Sequence, residues 1–414
     1  MTSGADDLLD VLIVGAGPAG ACAAALLQRA ARSLTVALLE HDRPTAPAAL
    51  EPFDARVSAL SRASERILRN AGAWDGIAGE RLQPYERMRV WHDATGSRAN
   101  VLVFDAAEVG EPNLGYIAEN RLVQAALIDA FESSGGRFLR DELAGVQVHE
   151  PHVEARTGAG VLRTRLIVGA DGARSAVRRG VGLTAEVSSY RERAIVANVA
   201  TERSHERTAW QRFLGNGTLA LLPLADGSSS IVWSADAPLA TQLLEVSPAA
   251  FERDLERDSE GVLGAMRLLT ERNSFALDRL GAHRYSAHRS ALIGDAAHVV
   301  HPLAGQGANL GILDAAALAE VVVEASAEGE DPGAERVLRR YERWRKSEMQ
   351  PMAVAIDAFD RFLAHGAGPL AELARRGLGW VERSPGIKRI FMARALGLSG
   401  ELPRAARADA VRLT

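Results

Sequence analysis

The chain has 414 residues, of which 47% are hydrophobic, and it carries a formal net charge of −5. Single cores usually stop growing at ~250–300 residues, so we expect two lobes. Acidic and basic residues are interspersed, which excludes the basic patch of a nucleic-acid-binding protein. The one cysteine, Cys22, excludes an intramolecular disulfide and a cysteine-rich metal site. Its place among Ala and Leu predicts a buried packing residue.

Targeting and membrane signals are weak in this sequence. Residues 1–15 are acidic and lack the basic start of a signal peptide. No uninterrupted apolar run reaches the ~18–20 residues of a membrane span. We therefore expect a cytoplasmic protein that is at most peripheral at the inner face of the membrane.

The first elements in the chain predict a nucleotide-binding unit. A buried strand over 10–14 (DVLIV) leads into GAGPAG, then into a helix-forming ACAAALLQRAA and a second strand, TVALLE. Gly15, Gly17 and Gly20 form the GxGxxG pattern. The first glycine permits a tight turn, the second lets a pyrophosphate approach the backbone, and the third lets helix and strand pack closely.

Two neighbouring features strengthen this interpretation. The predicted helix ACAAALLQRAA follows Gly20 directly, and the free amides at its N-terminus favour a phosphate. Glu40 ends the second strand, twenty residues after the last glycine, and is placed to accept hydrogen bonds from ribose hydroxyls. The unit predicts dinucleotide binding and leaves FAD and NAD both open.

The following segments predict a protein that contains both helices and strands. Residues 41–56 form a Pro- and Ala-rich loop, and helical patterns occur around 61–72 and 120–134. A second buried strand, LIVGADG, occupies 166–172. Between about 190 and 235 the hydrophobic pattern alternates, which predicts an antiparallel sheet. From ALIGDAAH onward, helical patterns dominate.

Two glycine–aspartate pairs follow predicted strands. Asp171 and Gly172 lie in LIVGADGARSAVR, where an ordinary strand-ending turn is an equally good interpretation. Gly294 and Asp295 end the strand in ALIGDAAH. An aspartate there is placed to hold the ribityl or ribose hydroxyls of an extended cofactor.

The stretch HPLAGQGANLGILD (301–314) places backbone-permissive residues at the mouth of a helix. Beyond Pro302, Gly305 and Gly307 expose consecutive amides, and a helix starting near Asn309 directs its N-terminus towards whatever lies there. A reduced flavin gains negative charge on its pyrimidine edge, and such a helix end would stabilise it. The stretch therefore favours a flavin.

These motifs, in this order, resemble a known family. The GxGxxG loop with Glu40, the DG pair and the GD pair are similar to the three boxes of the class A flavoprotein aromatic hydroxylases, with a para-hydroxybenzoate hydroxylase-like fold. Within that class, 301–314 resembles the signature of the ubiquinone-biosynthesis hydroxylases, the UbiH/UbiF/UbiI/Coq6 branch. Four further segments are similar to that branch: DARVSALS (54–61), GYIAEN (115–120), WQRF…GTLALLPL (210–224) and SIVWS (230–234).

The resemblance implies an α/β fold in which a GxGxxG Rossmann-like FAD-binding domain carries an inserted antiparallel β-sheet substrate domain and C-terminal helices. The implied boundaries are 1–80, 112–182 and 278–330 for the FAD-binding domain, 81–111 and 183–277 for the substrate domain, and 331–414 for the C-terminal helical region.

The resemblance also implies which residues bind FAD. Arg56 would lie near the flavin and the pyrophosphate, and Asp295 would hold the ribityl chain. Many aromatic hydroxylases have an arginine at the position of Asn120, so Asn120 and its neighbour Arg121 both stay candidates. The full implied set is Gly15, Gly17, Pro18, Ala19, Gly20, Glu40, Arg56, Asn120, Arg121, Asp171, Gly172, Gly294, Asp295, Pro302, Gly305, Gln306, Gly307, Ala308, Asn309 and Leu310.

The implied activity is that of an FAD-dependent monooxygenase which hydroxylates the aromatic ring of a ubiquinone precursor with a polyprenyl tail. NAD(P)H or an electron-transfer protein would reduce the flavin, and O₂ would add to give a C4a-hydroperoxide whose distal oxygen passes to the ring. The protein would position the cofactor and exclude water. Segments 210–224 are candidates for the wall that accommodates the tail. The scheme requires no side chain as an acid or base, so no catalytic residue is named, and no residue cluster has metal-ligand spacing.

Several alternatives stay open. The chain is alternatively an FAD-dependent hydroxylase of another aromatic metabolite, an isoprenoid-type flavin reductase of the same fold, or an FAD-binding scaffold within a ubiquinone-biosynthesis complex. A tryptophan halogenase is disfavoured because the WxWxIP motif is absent and the only lysines, Lys346 and Lys388, lie in the C-terminal half.

Four single residues and one segment carry weaker hypotheses. His298 and His301 are expected to be structural, with His301 alternatively conducting a proton near the flavin. Trp210 and Trp233 are expected to pack within a sheet. Residues 384–398 mix basic and apolar residues at helical spacing, which predicts a docking helix or, alternatively, contact with a membrane surface.

Overall fold

The computed structural model describes residues 8–92, 101–301, 306–359 and 381–408, with only the backbone described for Gln306 and residues 351–359. The helices in these ranges are α1 Pro18–Ala30, α2 Arg62–Asn70, α3 Trp74–Ile77, α4 Asn120–Ser133, α5 Ala176–Gly180, α6 Ala237–Glu245, α7 Pro248–Asp258, α8 Gln306–Ala327, α9 Glu335–Phe359 and α10 Pro385–Ala395.

The strands in the same ranges are β1 Leu9–Val14, β2 Val36–Glu40, β3 Val57–Ser61, β4 Gln83–Tyr85, β5 Arg87–His92, β6 Leu102–Asp105, β7 Gly115–Glu119, β8 Arg137–Arg140, β9 Leu143–Val148, β10 Val153–Thr157, β11 Gly160–Gly169, β12 Ala185–Thr201, β13 Thr208–Leu214, β14 Gly217–Pro223, β15 Ser229–Asp236, β16 Met266–Leu268, β17 Asn273–Ala282, β18 Ser286–Ala287, β19 Ser290–Leu292 and β20 His298–Val299.

One sheet has the parallel core predicted for nucleotide binding. Its strand order is β18-β19-β11-β1-β2-β8, and β1 pairs in parallel with both β2 and β11. A strand that is covered on both faces has apolar residues at consecutive positions, which explains the run DVLIV in β1. Helices α1, α4 and α8 pack together on this sheet. Cys22 of α1 is fully buried there, as predicted.

The carboxyl ends of β1, β11 and β19 meet at one edge of this sheet because these strands are parallel. The three loops that follow them contain the GxGxxG, DG and GD motifs, although they are far apart in the chain. Parallel sheets bind ligands at this edge.

A second, larger sheet faces that edge. Its order is β20-β17-β12-β15-β14-β13-β5-β6, with β16 paired to β12. The predicted antiparallel pairing is confirmed except between β13 and β5, which are parallel. No tight hairpin constrains this pair, because β5 and β13 are separated in the chain by much of the cofactor-binding sheet. A third sheet of β3, β7 and β4 lies beside the site.

One face of the large sheet is covered by α6 and α7. Trp233 is fully buried on this face, 5.7 Å from the ring of Phe251, and Trp210 packs against the same cluster. Both tryptophans therefore pack within the protein, as expected. The opposite face of the sheet is left for the site.

The domain boundaries stay a prediction. Strand β17 crosses the predicted boundary between residues 277 and 278, and β20 adds residues 298–299 to the large sheet. Within the described ranges, none of the helices combines the length and the apolar character that crossing a bilayer demands.

Candidate active site

Two cavities adjoin each other between the parallel sheet and the large sheet. The larger, of about 850 Å³, runs along the loops after β1, β11 and β19. The smaller, of about 360 Å³, lies between the large sheet and strands β3 and β4. Four residues line both cavities: Val57, Asn120, Phe275 and Asp295. These four residues are therefore within reach of a molecule bound in either cavity.

The first glycine loop has the geometry of a phosphate cradle. Gly15 has a φ of +102°, and a Cβ there would lie 2.4 Å from the carbonyl oxygen of Ala170. A Cβ on Gly20 would lie 1.9 Å from the Gly15 oxygen, so helix and strand pack too closely for a side chain. At Gly17 a Cβ would meet nothing within 4 Å, because this residue faces the larger cavity. The open space beside Gly17 fits a pyrophosphate.

The N-terminus of α1 is free to bind an anion. Gly17 is the cap residue, no side chain accepts a hydrogen bond from the first-turn amides, and the first turn holds no acidic residue. Pro18 and Ala19 line the cavity next to it. The unpaired amides and the helix dipole together favour phosphate at this point.

Glu40 connects the end of β2 to the glycine loop. Its Oε2 accepts a hydrogen bond from the Ala16 amide at 2.7 Å, and its Oε1 accepts one from the His41 amide at 3.0 Å. The carboxylate also lines the larger cavity. Each oxygen has a second lone pair, so ribose hydroxyls can still donate to it.

The DG pair contributes a turn rather than a free carboxylate. Asp171 accepts hydrogen bonds from the Ser175 hydroxyl and from the Ala176 amide, the latter at 2.6 Å, and so supports the start of α5, whose N-cap residue is Ser175. Gly172 has a φ of +76° and lines the larger cavity together with Asp171. The carboxylate thus shapes the cavity wall, and these hydrogen bonds were not anticipated from the sequence.

Arg178 joins the DG turn to the GD turn. Its side chain is buried, and its two terminal nitrogens donate to the carbonyl oxygens of Ala296 and Ala173 at 2.7 and 2.6 Å. The sequence shows this arginine beyond the DG pair but gives no sign of its partners.

The GD turn directs Asp295 into both cavities. Gly294 has a φ of +56°, and a Cβ there would lie 3.0 Å from the Ala19 Cβ. Water reaches the Asp295 carboxyl through the cavity, yet the surrounding walls desolvate it and raise its pKa above the usual value. His298 opposes this shift, and Asp314 adds to it.

Asp314 is a structural residue of the site that the sequence interpretation missed. It is fully buried, and its Oδ2 accepts a hydrogen bond from the Gly294 amide at 3.0 Å. The same oxygen lies 2.6 Å from His298 Nε2, while Oδ1 accepts from Arg345 Nε at 2.7 Å. Burial alone would raise the pKa of Asp314, but His298 and Arg345 outweigh burial and lower it. The contact with Asp314 supports the structural interpretation of His298, which also lines the larger cavity.

The position of Asp314 on the site-facing side of its helix could have been predicted from residue spacing in the sequence. Gly307, Gly311 and Asp314 follow an i, i+4, i+7 pattern, which places them on one face of α8. Gly307 and Gly311 line the larger cavity, and a Cβ on Gly311 would lie 3.3 Å from the Gly294 Cα. This face packs against the GD turn.

The predicted flavin-facing stretch divides into two groups. Gly307 and Ala308 line the larger cavity. Asn309 is buried and turned away: its Nδ2 donates to the Ala59 carbonyl at 2.8 Å, and its Oδ1 accepts from the Ser61 amide at 2.9 Å. Leu310 is also buried and lines neither cavity. Pro302 and Gly305 lie outside the described residues, and the backbone of Gln306 begins α8.

The structure brings Asn120, and not Arg121, to the site. Asn120 lines both cavities, and its Oδ1 accepts a hydrogen bond from the Ser58 hydroxyl at 2.6 Å. Arg121 pairs with Glu51 and lines neither cavity. Arg56 is exposed and lines the smaller cavity.

The smaller cavity is mainly apolar. Burial raises the pKa of Tyr85 to about 12, so the hydroxyl on this wall stays protonated at neutral pH. The predicted segments 210–224 contribute five wall residues, which are Trp210, Gln211, Thr218, Ala220 and Leu222.

His301 links the loop after β20 to the large sheet. Its imidazole is buried, with Nε2 3.3 Å from the Glu192 carboxylate and its ring edge-on to Tyr190 at 4.9 Å. This pairing supports the structural interpretation of His301.

Comparison with known proteins agrees with this geometry. The FAD binding domain family matches residues 8–354. The chain is 37% identical to the ubiquinone hydroxylase UbiL of Rhodospirillum rubrum, covering 98% of this chain and 94% of that protein. It is 35% identical to the 3-demethoxyubiquinol 3-hydroxylase of Escherichia coli, covering 94% and 98%. It is 32% identical to the mitochondrial ubiquinone biosynthesis monooxygenase COQ6 of Danio rerio, over 94% of this chain and 90% of that protein.

A solved structure shares the fold. The p-nitrophenol 4-monooxygenase PnpA of Pseudomonas putida superposes with a TM-score of 0.76 at 20% identity, covering 95% of this chain and 99% of that chain. FAD is the cofactor, and the protein is a flavin-dependent oxidoreductase. The phosphate cradle, the fold and the relatives agree: the chain belongs to the family of FAD-dependent ubiquinone-biosynthesis hydroxylases.

Proposed function

We propose that this protein hydroxylates the aromatic ring of a polyprenylated ubiquinone precursor. The observation that carries the proposal is the junction of the two cavities at Asn120, Phe275 and Asp295. A flavin in the larger cavity and a ring in the smaller one meet at these residues. The names of the relatives support the substrate class.

The overall reaction converts one ring C–H bond into C–OH. One oxygen atom of O₂ enters the product and the other leaves as water, with two electrons from NAD(P)H or an electron-transfer protein and the balance of protons from solvent. FAD, when bound, supplies the electron storage and the activation of O₂.

The residues of the chain bind, orient and exclude water. Glu40 and Asp295 both line the larger cavity, where Glu40 would accept hydrogen bonds from the adenosine ribose of FAD and Asp295 from its ribityl chain. The N-terminus of α8, where Gly307 and Ala308 line the cavity, would stabilise negative charge on a flavin bound there. The apolar walls of the smaller cavity keep water from the reacting atoms.

The smaller cavity holds the ring and only the first part of a prenyl tail. A cavity of about 150 Å³ accommodates one benzene ring, and the whole cavity measures about 360 Å³. A long tail must therefore leave it. Met88 lines the cavity and also packs with Phe104 against Met392 of α10 and Leu396 just after it, which gives an apolar path towards this helix.

The outer face of α10 fits a lipid surface. Ile390 and Phe391 are 69% and 47% exposed, and Arg389 beside them is also exposed. Apolar side chains flanked by a cation suit the boundary between headgroups and acyl chains. If α10 contacts the inner face of the membrane, the prenyl tail of the substrate can stay among the acyl chains of the lipid.

Vesicle binding tests the membrane contact. The double variant Ile390→Ser/Phe391→Ser should lose co-sedimentation with phosphatidylglycerol–phosphatidylcholine vesicles. A matched control is Val187→Ser, since Val187 is an exposed apolar residue on β12, 61% exposed. Equal sedimentation of the double variant and the wild type would contradict the contact.

Oxygen dependence tests the reaction itself. The reduced holoenzyme is mixed with 2-geranylphenol with and without O₂, and products are identified by mass spectrometry. A hydroxylated ring should form only with O₂. Reduction of a prenyl double bond without O₂ would support the reductase alternative instead. If cells make quinone normally with Asp295→Ala protein that lacks FAD, the scaffold alternative is supported.

A further inference from the structure

We infer that Gln211, Thr218 and Ser234 bind the oxygen substituents of the substrate ring and so select the carbon that is hydroxylated. All three line the smaller cavity. The inference rests on the proposed function, because it names the part of that site that orients the ring.

The pleat of the large sheet settles which residues face the cavity. Leu219 and Leu221 of β14 and Trp233 of β15 pack into the core under α6 and α7. Side chains alternate between the two faces of a strand. Thr218 and Ser234 therefore face the cavity. On β13, Gln211 is directly opposite Ala220, which lies between Leu219 and Leu221 on β14, so Gln211 is on the cavity face as well.

The three polar side chains form one patch. Ser234 and Thr218 are directly opposite each other in the pairing of β15 with β14. Thr218 is opposite Phe213, and Gln211 is opposite Ala220, so Gln211 and Thr218 are diagonal neighbours. Diagonal neighbours on one face are within reach of a common ligand group.

The patch offers unused hydrogen-bonding capacity. The three residues are only 5%, 6% and 1% exposed. None of their side chains forms a hydrogen bond with another residue in the described part of the chain. Their polar atoms are not among the fully enclosed unpaired polar atoms of the described residues; they border the smaller cavity, where a ligand can reach them. An amide and two hydroxyls can donate to, and accept from, phenol and methoxy oxygens.

The position of the patch orients a ring towards the flavin cavity. Phe275, Ala194, Ser234 and Thr218 are consecutive partners across β17, β12, β15 and β14. At a strand spacing of ~4.8 Å, Ser234 and Thr218 lie roughly 10 and 14 Å from Phe275. Because Phe275 borders both cavities, a ring held by its oxygens at the patch presents its opposite edge to the larger cavity.

Conservative variants test the inference. Thr218→Val, Ser234→Ala and Gln211→Leu each remove hydrogen-bonding groups with little change in volume. The substrates are 2-geranylphenol and 2-geranyl-6-methoxyphenol, and the readouts are the position of the new hydroxyl by NMR, KM and kcat, and the fraction of electrons lost to hydrogen peroxide.

We expect kcat/KM to fall about 5- to 10-fold for each lost hydrogen bond, mainly through KM. A second regioisomer should appear with the methoxyphenol in the double variant Thr218→Val/Ser234→Ala. Thr218→Ser keeps the hydroxyl and should restore the wild-type product. The matched control is Ser230→Ala, on the same strand and face as Ser234 but lining neither cavity.

The outcomes separate this inference from the proposed function. An unchanged regioisomer and KM in the double variant, with hydroxylation intact, overturns the role of the patch and leaves the function standing. If the wild type hydroxylates neither phenol, the function itself fails. FAD content and thermal unfolding identify a misfolded double variant, in which case the single variants Thr218→Val and Ser234→Ala decide against Ser230→Ala: a KM equal to that of the wild type in both single variants overturns the role of the patch.

Discussion

The backbone amide of Gly294 donates a hydrogen bond to the buried carboxylate of Asp314 over 3.0 Å. The same carboxylate contacts His298 and Arg345, so one residue of α8 holds the GD turn, β20 and α9 together. Asp295 is the next residue in that turn. The position of the cavity carboxylate therefore depends on a residue that lines neither cavity.

Asp314→Asn should damage both folding and FAD binding. The substitution leaves Arg345 buried beside a neutral amide, and breaking a buried ion pair costs about 3–5 kcal/mol. We expect the free energy of unfolding to fall by that amount in urea, and FAD affinity to fall because the GD turn loses its anchor.

The matched control is Asp129→Asn on α4. Asp129 is also paired with an arginine, Arg43, but its side chain is 65% exposed. Exposed pairs contribute about 1 kcal/mol or less, so this variant should behave like the wild type. A comparable loss of stability in both variants would contradict the role given to Asp314.

Gly17→Ala should separate cofactor binding from folding. Nothing lies within 4 Å of a Cβ at this position, so the apoprotein should keep its stability within about 1 kcal/mol. The methyl group projects into the space of the pyrophosphate, and FAD affinity should fall roughly tenfold or more. Fluorescence titration with FAD measures the affinity.

Gly20→Ala provides the contrast. Its Cβ would lie 1.9 Å from the Gly15 carbonyl oxygen, which forces the backbone apart. We expect lower thermal stability of the apoprotein itself. Equal FAD affinity in Gly17→Ala and the wild type would refute the phosphate cradle.

Asp295→Asn should stabilise the apoprotein at neutral pH while weakening FAD binding. The folded-state pKa of Asp295 is raised above 3.8, mainly by desolvation, so its ionisation disfavours the folded state. In the wild type this loss of stability develops as pH rises from 3.8 through the raised pKa. Asp295→Asn has no ionisable group at this position and therefore does not lose this stability.

The stability difference between Asp295→Asn and the wild type should therefore be small in acid and grow with pH across that window, then stay constant. Urea unfolding of the two apoproteins over a pH series measures it. If the difference in free energy of unfolding between the two proteins shrinks as pH rises, the pKa of Asp295 is lowered by folding and not raised.

Asn120→Ala and Arg121→Ala should differ in their effect on the cofactor. Asn120 lines both cavities, whereas Arg121 pairs with Glu51 away from them. We expect Asn120→Ala to shift the flavin absorption spectrum and weaken FAD binding, and Arg121→Ala to leave both unchanged. The reverse result would assign the cofactor contact to Arg121.

The sequence predicted the positions of turns better than the directions of side chains. A glycine pattern reports a backbone requirement, so the close approaches at Gly15 and Gly20 could be anticipated. The sequence showed neither that Asp171 accepts hydrogen bonds at the start of α5 nor that Asn309 bonds to two residues of β3. Such partners come from tertiary packing, which local pattern does not record.

The fold shows the same limit. Apolar runs and alternation identified the parallel core and the large sheet, because both patterns reflect which faces are buried. The parallel pairing of β5 with β13 could not be predicted, since these strands are far apart in the chain. Asp314 was visible in the stretch 301–314, but its partners Gly294 and Arg345 come from other elements.

A single turnover under ¹⁸O₂ shows whether the oxygen of the new ring hydroxyl comes from O₂. The holoenzyme is reduced photochemically without O₂, which removes the question of the electron donor, and is then mixed with 2-geranylphenol and ¹⁸O₂. We expect a ring-hydroxylated product that carries one ¹⁸O atom. A product whose oxygen comes from water, or reoxidation that gives only hydrogen peroxide and unchanged phenol, would contradict the account.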